Sequence, residues 1–108
     1  ELGATFVKDA KTASKYHFYA LAGGPPARPG LIRTEDASGV SVALEIWSIP
    51  KLAMGAFIAN IPAPLGIGSI ELSDGIWVKG FLCEKSGIYG AIDISHLGDW
   101  RKFLADAA

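Results

Sequence analysis

Hydrophobic and polar positions alternate along several short stretches of this chain and recur at helical spacing in two others. Val40 to Ser48 alternates most cleanly. Val40, Val42, Leu44 and Ile46 fall on one face, with Ser41, Ala43, Glu45 and Trp47 on the other, the period of a strand with one buried side. Lys15-Tyr16-His17-Phe18-Tyr19-Ala20-Leu21 is rich in aromatics, which suit a pleated, half-buried surface. The breaker Ala22-Gly23-Gly24-Pro25-Pro26 ends it. Ser69 to Leu72 and Ile76 to Glu84 flank Asp74-Gly75, a strong hairpin signal. Short strands are also expected at Thr5 to Val7 and Leu31 to Arg33.

Two stretches follow helical spacing instead. Pro50 suits a first helical turn, and Leu52, Met54, Phe57, Ile58 and Ile61 continue the period until Pro62 and Pro64 stop it. The pattern predicts a helix from Lys51 to Asn60. A final helix is expected through Leu97, Trp100, Phe103 and Leu104, capped by Ser95, with Asp99 near its positive end. Between Pro62 and Gly68 the chain is too rich in proline and glycine for a regular element, so Gly66-Ile67-Gly68 is expected to be a bend. Lys85 to Gly90 reads as a loop. About five strands and two helices, without regular β-α alternation, predict an α+β domain. Its expected frame is a small, mixed but mostly antiparallel β-barrel or strongly curved sheet with flanking helices.

Composition narrows this picture. The chain has 108 residues, the size of one domain. Half of them are hydrophobic, and mean hydropathy is +0.30, which excludes disorder. No apolar run reaches the ~18 residues of a membrane span. Ten basic and eleven acidic residues, without a run of either sign, argue against nucleic acid or an anionic membrane as partner. The single cysteine, Cys83, excludes an internal disulfide and a multi-cysteine metal site. It fits a reducing, cytoplasmic setting. Nothing before the first element reads as a signal peptide, and the chain reads as a piece of a longer protein.

Candidate chemistry is sparse. No nucleotide loop, metal-binding pair or nucleophile elbow is present, so no cofactor or metal is expected. His17 shares a strand face with Tyr19 and is either a hydrogen-bonded strand histidine or a catalytic group. The face of Glu45 either meets solvent or looks into a barrel. Lys79 is read as the one cation in the interior of a strand, and only a bulge at Gly80 would bring it to the side of Glu84. Cys83 reads as a small buried hydrophobe. Residues alone end at a globular α+β domain with room for a small anion site.

Four segments carry a resemblance. They are Tyr16-His17-Phe18-Tyr19-Ala20-Leu21 with the following Gly23 to Gly30 stretch, Ile61-Pro62-Ala63-Pro64-Leu65-Gly66-Ile67-Gly68, Val78-Lys79-Gly80-Phe81-Leu82-Cys83-Glu84, and Asp93-Ile94-Ser95-His96-Leu97-Gly98-Asp99-Trp100. In order and gaps they resemble the C-terminal domain of allophanate hydrolase, over nearly the whole chain. The resemblance implies a γ-glutamyl cyclotransferase-like fold and a place in urea breakdown. It implies decarboxylation of N-carboxycarbamate, a small dicarboxylate released by an upstream amidase domain of the same polypeptide. The alternative is a non-catalytic module for homo-oligomerisation or shielding of the intermediate.

Cyclotransferases carry an acid near the start of the helix after their central strand, where this chain has Leu52-Ala53-Met54-Gly55-Ala56-Phe57. The family's implicated histidine lies in an Asn-His-Gln segment upstream of the counterpart of Glu1. Within these residues the catalytic group is therefore unassigned, with His17 and Glu45 as candidates, and the short chain is expected to be weakly active by itself. Tyr19, Gly23, Gly24, Gly66, Gly68 and Lys79 are the expected substrate-binding residues: Lys79 and glycine N–H groups as an anion clamp, Tyr19 as an orienting group.

Overall fold

A computed structural model describes residues 3–23 and 27–107. In chain order the elements are β1 (Thr5–Lys11), β2 (Tyr16–Ala20), β3 (Pro29–Arg33), β4 (Ala43–Ser48), α1 (Lys51–Ala59), β5 (Leu65–Glu71), β6 (Trp77–Cys83), a 3-10 turn (Lys85–Ile88), β7 (Ile92–Asp93) and α2 (Trp100–Ala107). The α+β class and the antiparallel pairing agree with the sequence pattern. A closed barrel does not form among the described residues. The strands make three small antiparallel sheets, β1-β4, β3-β2-β7 and β5-β6. Single bridges, Thr12 with Leu72 and Tyr16 with Val40, help to connect them, together with the Glu71 N–H, which donates to the Tyr16 hydroxyl.

Thr12 explains why β4 starts at Ala43 and not at Val40. Its buried hydroxyl accepts the Val42 N–H (2.9 Å), and its carbonyl accepts the Ser41 hydroxyl (2.6 Å). The Thr12 N–H still donates to the Val42 carbonyl (3.0 Å), and the side-chain bonds take the place of the reciprocal ladder bond, while the alternation of faces continues through them. β1 runs on to Lys11, with Val7 as the extra residue of a bulge. Lys8 and Lys11 thus also lie in a strand, and Lys79 is not the one strand cation the pattern suggested.

The Asp74-Gly75 turn forms as expected. Gly75 takes a positive φ of 88° and the Asp74 carboxylate accepts the Ile76 N–H. The expected bend at Gly66-Ile67-Gly68 is strand instead. Local glycine and proline disfavour a strand there, but β6 supplies partners, pairing Gly66 with Leu82 and Gly68 with Gly80. A Cβ on Gly68 would lie 2.5 Å from Leu82 Cδ1, so glycine here lets the strands pack. The register passes Gly80 without a bulge.

Tyr16, Phe18, Ala20, Leu31, Val42, Ile70 and Ile94 form the core. α2 closes one side, with Trp100 edge-on to Phe18 (6.2 Å between centroids) and stacked on Phe103 (5.0 Å). It begins at Trp100, where the Asp99 carboxylate caps the Arg101 N–H (2.8 Å). Ser95 is not its cap, because the Ser95 hydroxyl accepts the Phe18 N–H from β2 (2.9 Å).

Candidate functional site

Between β4, the β5-β6 sheet and α1 lies a cavity of about 710 Å³, within the range of ligand pockets. Its wall is apolar, with Phe18, Leu44, Ile46, Met54, Phe57 and Ile67 among the lining residues. Two charged residues are among those that line it, Glu45 and Lys79. Strand alternation sets Trp77, Lys79 and Phe81 on the outer face of β6, and Phe57 of α1 meets Phe81 there (5.6 Å between centroids). The Lys79 ammonium donates to the Ser69 hydroxyl across the ladder (2.8 Å). Among the described residues no carboxylate comes within ion-pair reach of it. Glu45 is partnered: Oε1 accepts the Trp47 indole N–H (3.1 Å), and Oε2 lies 3.8 Å from Arg101. The cavity therefore offers an apolar wall and one ammonium without a counter-charge.

A second group of polar side chains stands on the far side of β2. Phe18 lines the cavity, so its neighbours His17 and Tyr19 point the other way. Their rings meet edge to face (6.5 Å). His17 Nε2 lies 2.7 Å from the Ser38 hydroxyl, which donates to the Asp36 carboxylate. The hydroxyl and N–H of Ser38 hold Asp36 below the usual carboxylate range. Tyr19 pairs with Asp93 of β7. Burial first, and then the Asp93 charge, push the Tyr19 phenol up, so it remains a proton-bearing donor. Asp93 itself is held low by the Ser95 N–H and hydroxyl.

The expected site residues thus divide. Lys79 and Glu45 both line the cavity without touching each other, while Tyr19 and His17 face away from it. Gly23 lies beyond β2 with a positive φ of 94°, and Gly24 is outside the described residues. Gly66 and Gly68 cannot form an anion nest. Bonds from Glu84 N to Pro64 O (2.9 Å) and from Leu72 N to Ile76 O (2.8 Å) bracket the β5-β6 ladder. By alternation the N–H groups of Gly66 and Gly68 point into β6. Burial raises the Cys83 thiol, as suits a packed side chain. Sequence reading missed Ser69, whose link to Lys79 was legible once Ser69–Leu72 was paired back from the Asp74-Gly75 turn. It also missed Arg28.

Comparison with known proteins bears on this geometry. The family described as "Allophanate hydrolase C-terminal domain" matches residues 1–105. A urea amidolyase of Saccharomyces cerevisiae is 43% identical over 107 residues, covering 96% of this chain and 6% of that protein. The structure of Kluyveromyces lactis allophanate hydrolase superposes with a TM-score of 0.95 at 41% identity, covering 99% of this chain and 18% of the other. The uropathogenic Escherichia coli-specific protein c4763 superposes with a TM-score of 0.86 at 35% identity, and 96% of this chain covers 79% of it. The chain spans a small fraction of the first two proteins and most of the third.

Proposed function

The chain belongs to the allophanate hydrolase C-terminal domain family, and from that premise we propose that it promotes decarboxylation of N-carboxycarbamate. In this reading an amidase domain of the parent polypeptide releases the intermediate, in a reducing cytoplasmic compartment. The observation that carries the proposal is the uncompensated Lys79 ammonium on an apolar cavity wall. One carboxylate of the substrate binds Lys79 and Ser69 by charge-assisted hydrogen bonds. The other lies against apolar side chains. There the C–N bond breaks, its electron pair stays on nitrogen, and nitrogen takes a proton. Carbon dioxide leaves, and carbamate stays on Lys79. Two carboxylates become one, so an apolar wall that desolvates the departing carboxylate favours the step. The proton donor in this reading is the family's histidine, upstream of the counterpart of Glu1.

A γ-glutamyl cyclotransferase-like fold is part of the same proposal, supported by antiparallel strands around a cavity. Cyclotransferase chemistry is not, because α1 carries no carboxylate.

One observation favours the second reading, an interface module. Beyond Lys51 at its start α1 carries no polar side chain, and none of its residues is buried, with Leu52 and Ile58 open to solvent. Titration calorimetry with malonate, a stable dicarboxylate, separates the two readings. Binding that Lys79→Met weakens by about 1–3 kcal/mol supports the first. Absence of malonate binding, together with concentration-dependent self-association, supports the second.

A further inference from the structure

We propose that the β2-β3 hairpin carries a second binding site, for a small singly charged carboxylate, held between the Arg28 guanidinium and the Tyr19 hydroxyl. Three arginines occur in the chain, and two are engaged. Arg33 binds Glu35 (2.9 Å) and Glu71 (3.0 Å), and Arg101 faces Asp9, Glu45 and Asp99. Arg28 differs. Its one side-chain hydrogen bond among the described residues is a long one to the Ala63 carbonyl (3.5 Å). A guanidinium carries five N–H donors in a planar fork that matches a carboxylate, and most of those of Arg28 are unspent.

The ladder sets Tyr19 beside it. Tyr19 pairs with Gly30 and Ala20 with Pro29, and the Leu21 N–H donates to the Arg28 carbonyl (2.9 Å). Alternation therefore puts Tyr19 and Arg28 on one face, one diagonal step apart, within reach of long side chains. The residue opposite Tyr19 is glycine. The space of its absent side chain is taken by Leu21 and Cys83, at 2.7 and 3.3 Å from where a Cβ would stand. They give the site an apolar floor. The Tyr19 hydroxyl has no hydrogen-bond partner among the described residues. Two unspent donors over an apolar floor fit one planar carboxylate.

Asp93 restricts the charge of the ligand. It stands across the ladder from Tyr19 and binds the Ser95 N–H (2.9 Å). Its negative charge is felt at the Tyr19 hydroxyl and opposes any anion placed there, a dianion more than a monoanion, so acetate suits this site better than a dicarboxylate does. The site lies on the opposite face of β2 from the cavity, and its existence does not depend on the decarboxylation proposal.

The test is an NMR titration of the whole chain with acetate, following the Arg28 Nε–H and the Tyr19 ring. Saturable shifts at both are expected, unchanged in Lys79→Met and lost in Arg28→Met. Tyr19→Phe, which keeps the ring and removes only the donor, should weaken acetate binding about tenfold, as for one charge-assisted bond. This second variant decides the matter if loss of the Ala63 contact perturbs Arg28→Met. Shifts that grow linearly without saturating, or equal acetate affinity in wild type and Tyr19→Phe, would overturn the proposal.

Discussion

Replacing Tyr16 with phenylalanine probes the joint between the sheets. Tyr16 is 0% exposed, begins β2 and bridges to Val40. Its hydroxyl oxygen accepts the Glu71 N–H of β5 (2.9 Å) and, at 3.4 Å, a guanidinium N–H of Arg33. Phenylalanine fills nearly the same space, so no cavity term arises. What changes is the Glu71 N–H, left as a donor without a partner, at a cost of about 1–3 kcal/mol. Arg33 adds little, because it keeps Glu35 and Glu71 and still covers the rings of residue 16 and Trp77. Urea denaturation followed by tryptophan fluorescence should show a lower midpoint at unchanged m. With m of about 1–3 kcal/mol/M for a small domain, the midpoint falls by roughly 1 M. Tyr19→Phe is the control. Its hydroxyl has no partner among the described residues, so stability should move by less than about 0.5 kcal/mol. Equal midpoints for Tyr16→Phe and Tyr19→Phe would refute the reasoning.

Two further predictions concern packing and pH. Gly87→Ala would place a Cβ 2.4 Å from Pro64 and 2.8 Å from Cys83 Sγ. Overpacking should lower stability by about 1–3 kcal/mol in the same urea assay. Asp93 is held below its ordinary value by Ser95, so its ionised form favours the fold. That contribution is fully present above the unfolded carboxylate pKa of about 3.9 and is lost as pH falls through the lower folded value. Thermal melts of wild type and Asp93→Asn should therefore differ at neutral pH and converge in acid.

Local chemistry made part of this fold legible in the sequence. The Asp74-Gly75 turn is specified by its own residues, and the faces of β2 and β4 follow from alternation alone. The second half of β5, from Ser69, was legible from the turn, but its first half, Leu65 to Gly68, was not. Its glycines argue locally for a bend, and the deciding partner, Leu82 for Gly66, lies far along the chain. Ser95 and Asp99 are equally able caps, and the choice fell to a tertiary bond, since Phe18 claims Ser95. The candidate site divides for the same reason. Parity fixes which side of β2 carries Tyr19, but only the arrangement of sheets shows that Lys79 lines the cavity on the opposite side, with Phe18. Arg28 sits past a breaker. It becomes visible only once Tyr19 is registered against Gly30.

Carbon dioxide release tests the central claim most directly. N-carboxycarbamate is generated in situ by a separate amidase domain. Release is followed with no added chain, with this domain extended upstream to include the family's histidine segment, and with the Lys79→Met form of that extended chain. Decarboxylation on the Lys79 wall predicts faster release with the extended chain and loss of most of that gain in Lys79→Met. Equal release in all three would contradict it.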